Sequence, residues 1–117
     1  MNRFLATAAA FALISLTSSA FAASAEMEAT FGNTVTQTNA DGSEIVNLFN
    51  DDGTVTRINA DGSKTEGSWT ENGPQLCTTF GSDKACWEKT PGKKVGDSWE
   101  TDAPDGSKAT ISISEGR

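Results

Sequence analysis

Histidine and tyrosine are absent from the 117 residues. Without histidine, neither a Ser-His-Asp triad nor a Cys-His pair can be assembled, and a zinc site with an imidazole ligand is ruled out. Cysteine occurs only twice, too rarely for a thiolate zinc site. Basic side chains are scarce too, nine Lys and Arg against sixteen Asp and Glu. Lys93-Lys94 is the one close basic pair, and it faces an acidic molecule. A phosphate-binding surface needs clustered cations, so neither nucleic acid nor anionic lipid is an expected partner. After residue 22 no segment repeats its apolar residues at helical spacing over a window of about 11 positions.

The one long apolar run stands at the N-terminus. Arg3 precedes Phe4–Leu16, which reads FLATAAAFALISL, and Ala20-Phe21-Ala22 supplies the small-x-small pattern of a signal peptidase site. A membrane-spanning helix needs about 20 apolar residues, more than this core has. Residues 1–22 therefore read as a signal peptide cleaved after Ala22, with cleavage after Ala25, in Ala23-Ser24-Ala25, as the alternative. No Cys lies nearby, so lipid attachment is not expected. The mature chain reads as one domain, residues 23–117, periplasmic or secreted. Loss of Arg3 leaves eight basic against sixteen acidic side chains, a net charge of −8 that keeps a small exported domain soluble.

What the mature chain has in quantity is turn chemistry. Asn39-Ala40-Asp41-Gly42-Ser43, Asn50-Asp51-Asp52-Gly53-Thr54, Asn59-Ala60-Asp61-Gly62-Ser63 and Pro104-Asp105-Gly106-Ser107 punctuate it, with Asn72-Gly73-Pro74, Gly81-Ser82 and Pro91-Gly92 between. Asp-Gly and Asn-Gly pairs accept the positive φ of tight hairpins. Short segments rich in Thr, Val, Ile, Phe and Trp at such regular spacing predict an all-β fold. Strands are expected near Thr30–Thr38, Glu44–Asn50, Thr54–Asn59, Lys64–Glu71, Gln75–Phe80, Ala85–Thr90, Ser98–Asp102 and Lys108–Ser114. The expected architecture is an antiparallel meander of about eight short strands forming a small barrel or a sandwich. Ile45 and Phe49 fall on one face of the second strand, Val46 and Leu48 on the other, so that strand is expected to be the most buried. Ala109, Ile111 and Ile113 share a face of the last.

Cys77 and Cys86 bracket eight residues. With Gly81-Ser82 as a two-residue turn, Phe80 pairs with Asp83, Thr79 with Lys84, Thr78 with Ala85, Cys77 with Cys86 and Leu76 with Trp87. Counting outward from the turn makes Cys77–Cys86 a non-hydrogen-bonded pair with Cα atoms about 4.5 Å apart, within reach of a disulfide. Export makes such a bond chemically reasonable. A catalytic dithiol is usually Cys-x-x-Cys, so a structural role is expected for this pair.

The remaining site candidates are sparse. Asp51-Asp52-Gly53 lacks the ligand spacing of an EF-hand loop, so no metal and no cofactor is expected. Many carboxylates are present, but no feature singles out a glycosidase-like pair, and the protein is not expected to be an enzyme. Trp69, Trp87 and Trp99 are the possible binding aromatics, with core packing as the competing use.

The run DGT…NADGS…GSWTENGPQLC…ACW resembles small uncharacterised exported bacterial β-proteins, which share DGT-type hairpin turns, then G-x-W, then a Cys pair across a hairpin. The resemblance covers Phe49 to Trp87 and implies no activity. Small periplasmic lysozyme inhibitors share the general design of a disulfide-stapled antiparallel barrel, but none of their inhibitory-loop motifs occurs here. The expected function is a non-enzymatic envelope or secreted binding module with an unknown protein or small-molecule partner. The alternatives are a small-ligand carrier with a barrel cavity and an inhibitor of a cell-wall enzyme. A hollow interior lined by several Trp residues would favour the carrier.

Overall fold

The structure, a computed structural model, describes residues 23–117. The expected signal peptide and the residue before its cleavage point lie outside the described residues. Eight strands follow one short helix, α1 (Ala25–Glu28): β1 (Thr34–Thr38), β2 (Glu44–Phe49), β3 (Thr54–Ile58), β4 (Lys64–Asn72), β5 (Gln75–Phe80), β6 (Asp83–Glu88), β7 (Ser98–Asp102) and β8 (Lys108–Ser114). All pairings are antiparallel within one sheet, ordered β6-β5-β4-β3-β2-β1-β8-β7. A single sheet excludes the sandwich.

The sheet curls into a half-barrel. Pairing of β1 with β8, Val35 opposite Ile113 and Gln37 opposite Ile111, joins the two ends of the meander. The remaining gap lies between β6 and β7, the two edge strands. They approach each other without hydrogen-bonding, and residues 89–97 cross between them.

Four hairpin ends share one design. In each, an aspartate carboxylate accepts the backbone N–H and the hydroxyl of the residue two positions on: Asp41 from Ser43, Asp52 from Thr54, Asp61 from Ser63 and Asp105 from Ser107. The intervening glycine sits near φ +90° in every case, as at Gly42 (+89°) and Gly62 (+90°), where a Cβ would be strained. Those hydrogen bonds favour the ionised carboxylate and hold all four aspartates below their ordinary pKa of 3.8.

Several boundaries differ from the sequence expectation. The first strand starts at Thr34 rather than Thr30, because residues 25–28 form a helical turn and 29–33 continue as turns. Ser24 caps that helix by accepting the Met27 N–H, and Glu26 and Glu28 lie in its first turn. A four-residue helix is too short to show periodicity. The sixth strand starts at Asp83 rather than Ala85, since pairing with β5 resumes immediately after Gly81-Ser82. β5, not β2, is the most buried strand: Cys77, Thr78 and Phe80 are buried on it, against Asn47 and Phe49 on β2. The difference arises on the outer face, where the disulfide covers Cys77 while Val46 and Leu48 stay half-buried.

The core gathers around Trp69 and takes in Met27 of α1. Met27, Val35, Phe49, Val55, Trp69, Phe80 and Ile113 form it. Trp69 is 1% exposed, its ring 5.7 Å from Phe31 and 6.2 Å, edge-on, from Phe49. Its indole N–H donates to the Asn50 carbonyl at 2.8 Å, as a buried Trp requires. Gly67 lies two residues before Trp69 on the same face. A Cβ there would stand 2.4 Å from the Thr79 carbonyl oxygen and 2.6 Å from the Phe80 ring. The G-x-W element therefore has a steric meaning: glycine admits Phe80, and tryptophan fills the space beside it.

The Cys77–Cys86 disulfide forms in the register that the two-residue turn dictates, with every expected pair from Phe80–Asp83 to Leu76–Trp87 observed. The Cα separation is 4.0 Å, close to the value for a non-hydrogen-bonded pair.

Candidate functional site

Strand alternation puts Val35 and Gln37 of β1, Asn47 and Phe49 of β2, and Val55 and Arg57 of β3 on the inward face. Leu76 and Thr78 of β5, Trp87 of β6, Trp99 of β7, and Ile111 and Ile113 of β8 complete that face. Most of these side chains, with Met27 and Thr30 from the N-terminal segment, enclose a cavity of about 100 Å³. A second hollow of about 520 Å³ lies beside the 39–43 and 103–107 turns, and Gln37 and Trp87 line both.

The cavity wall is apolar for most of its extent, and its polar groups are concentrated. Asn47 and Thr78 are 7% and 4% exposed. Asn47 Oδ1, Thr78 Oγ1 and Arg57 Nε are buried with no hydrogen-bond partner among the described residues. Asn47 and Arg57 stand directly opposite each other across β2 and β3. Gln37 is also buried, but its amide donates to Asn39 Oδ1 at 2.7 Å. An unsatisfied buried polar atom costs about 1–3 kcal/mol, so three around one cavity are a concentrated expense in a small domain.

Arg57 is the charge in this group. Its guanidinium lies over the Phe80 ring at 4.0 Å, a favourable cation–π placement, and it forms no ion pair among the described residues. Burial lowers its pKa, opposed by the charge of Asp83. It stays protonated at neutral pH because an arginine starts so high. Towards the gap between β6 and β7, Lys93 Nζ sits 5.4 Å from the Trp99 ring centre. Glu26, Glu88 and Lys89 also border the cavity.

A second polar cluster, whose Lys89 borders the cavity, fastens Ser24 at the start of α1. Glu71 accepts the Ser24 N–H at 3.0 Å, the Ser24 hydroxyl, and Lys89 Nζ at 2.6 Å. Burial pushes the Glu71 carboxyl up, but the hydrogen bonds from Lys89 and Ser24 outweigh it and hold the pKa below the usual glutamate value. This carboxylate is engaged in structure.

The sequence candidates fall in three places. Trp69 is core. Trp87 and Trp99 are half-buried and line the cavity. Cys77 and Cys86 lie on the outer face, pointing away from it, since they alternate with Leu76, Thr78 and Trp87. Asp52 of the acidic turn is committed to Thr54, and no cluster of three or more potential metal ligands occurs among the described residues. Sequence reading missed Gln37, Asn47, Arg57 and Thr78. Their signal was a polar residue in an inward position: Thr78 between Leu76 and Phe80, Asn47 between Ile45 and Phe49, and Arg57 and Gln37 two residues after Val55 and Val35.

Comparison with known proteins finds no matching family model, no similar curated protein and no similar solved structure.

Proposed function

We propose that this domain is a non-enzymatic carrier that binds one compact, largely apolar small molecule inside the curled sheet, in the periplasm or after secretion. One observation carries the reading: Asn47, Arg57 and Thr78 bring unpartnered buried polar atoms to a cavity otherwise walled by apolar side chains, Trp87 and Trp99 among them. A mostly apolar pocket with a few convergent polar groups is the usual form of a small-ligand site. The buried polar groups are amides, a hydroxyl and a guanidinium. None titrates near neutral pH, as a general acid or base would, which supports binding over catalysis. Docking of a protein partner has less support. Val95 is the sole exposed large hydrophobic residue among those described, so no apolar patch offers itself. Cleavage after Ala22 would keep Ser24, its hydrogen bonds to Glu71 and the α1 cap, whereas cleavage after Ala25 would remove them.

The carrier reading is tested by amide NMR of residues 23–117, titrated with a panel of neutral, anionic and cationic single-ring compounds. Shifts confined to the inward residues of β2, β3, β5, β6 and β7 are expected with at least one class. If no panel member at millimolar concentration moves those resonances, the carrier reading fails.

A further inference from the structure

We infer that the molecule held in this cavity is a compact monocarboxylate, bound with its carboxylate on the Arg57 guanidinium and its aromatic or short aliphatic tail between Trp87 and Trp99. The inference rests on the carrier reading above and adds the chemical class of ligand.

Charge is the first consideration. Arg57 is a half-buried cation with no ion pair among the described residues, in a chain whose mature part carries twice as many acids as bases. Carboxylates are therefore plentiful, yet none is placed against this guanidinium, and Asp83 acts on it only at longer range. Burying an unpaired charge is costly, and an anionic ligand group would relieve that cost. Glu26 and Glu88 border the cavity as well, but Glu88 accepts from the Gln75 amide at 3.0 Å and is exposed.

Geometry is the second. A guanidinium offers a planar fork of donors that matches a carboxylate in a way an ammonium does not. Phe80 supports one face of that fork at 4.0 Å. Asn47, directly across from Arg57, brings an amide group with both donor and acceptor capacity, and Thr78 adds an unpartnered hydroxyl elsewhere on the cavity wall. Arg57 and Asn47, paired on neighbouring strands, thus flank one head-group position.

Topology is the third. In the meander β3 lies four strands from β7 in either direction around the curl, so Arg57 stands on the wall opposite Trp99. Trp99 and Trp87 flank the open seam between β7 and β6. A ligand with its head on Arg57 points its tail at the two tryptophans and the seam. Size limits the tail. An enclosed cavity of about 150 Å³ holds a benzene ring, and this one is about 100 Å³. Being the smaller, it accommodates a single ring or short chain only with part of the ligand protruding through the seam.

The experiment uses three probes with the same tail: phenylacetate, 2-phenylethanol and 2-phenylethylamine. Each is titrated against residues 23–117 by amide NMR at fixed ionic strength, with Arg57→Met, Arg57→Lys and Thr78→Val alongside. Phenylacetate is expected to bind about tenfold more tightly than the alcohol, as one charge-assisted hydrogen bond would give, with the amine weakest. In Arg57→Met that preference collapses to about one. In Arg57→Lys part of it survives, because the charge remains and the fork is lost. If the alcohol or the amine binds wild type as well as phenylacetate does, the carboxylate assignment is overturned while the carrier reading stands. If no probe binds at the cavity, both fall. The wild-type ranking decides the assignment even if a variant does not fold.

Discussion

On three neighbouring strands the inward face changes character within two residues. Val35, Phe49 and Val55 belong to the apolar core, while Gln37, Asn47 and Arg57, two positions away on the same face of the same strands, are polar; Val35 and Phe49 share the cavity wall with them. The apolar cluster is packed around Trp69, takes in Met27 of α1 and is stabilised by apolar burial. The polar half is under-satisfied and opens at the unpaired seam between β6 and β7. One strand alternation serves both halves, so facing inward is one property and packing into a core is another. The large apolar residues serve both the core and the cavity wall, and the few inward polar residues carry the chemistry.

Substitutions set the two halves against each other. Trp69→Ala should have the largest effect, a loss of about 3–5 kcal/mol, read as a lower midpoint of urea unfolding. A loss no greater than that of a cavity-half variant would break the comparison. Gly67→Ala comes next, at about 1–3 kcal/mol, because the new Cβ must displace the Thr79 backbone or the Phe80 ring. The same measurement checks it, and an unchanged midpoint would show that the close approach is not required. Thr78→Val should stay within about 1 kcal/mol of wild type or exceed it, since it replaces an unpartnered buried hydroxyl with a methyl of similar shape. A large loss there would make Thr78 part of the stabilising core.

The smallest effect is a pH dependence at α1. The folded pKa of Glu71 is depressed, so its contribution is present above the ordinary glutamate value of 4.5 and is lost as pH falls through the lower folded value. Acidification should therefore loosen Ser24 and α1. Acrylamide quenching of Trp69, measured with Trp87 and Trp99 replaced by Phe, should rise as the pH is taken down from 4.5. Glu71→Gln should flatten this pH dependence, and a profile identical to that of the parent would remove Glu71 as the fastening group.

Much of the fold was legible because its determinants are local. The Asp-Gly-Ser turns each satisfy their own carboxylate within three residues, so the hairpins they close can be read one at a time. The Gly81-Ser82 turn fixes the β5–β6 register and with it the disulfide. The α1 turn was missed although Ser24 before two acidic positions was a capping signal, since one helical turn carries no period. The site was less legible. A polar residue between inward apolar ones, such as Asn47 or Thr78, reads the same in sequence whether it lies on a solvated wall, bonds a neighbour or faces a cavity.

The amino-acid sequence by itself determined the all-β class, the hairpin turns, the Cys77–Cys86 pairing and the inward face of most strands, because each follows from contacts a few residues apart and from the two-residue period of a strand. Only the tertiary structure decided that β8 returns to β1, that β6 and β7 remain unpaired with each other, that Trp69 is core while Trp87 and Trp99 line a cavity, and that Asn47, Arg57 and Thr78 face it. Those outcomes depend on how far one sheet curls before its edges meet, and curl is set by the packing of side chains that lie far apart in the chain.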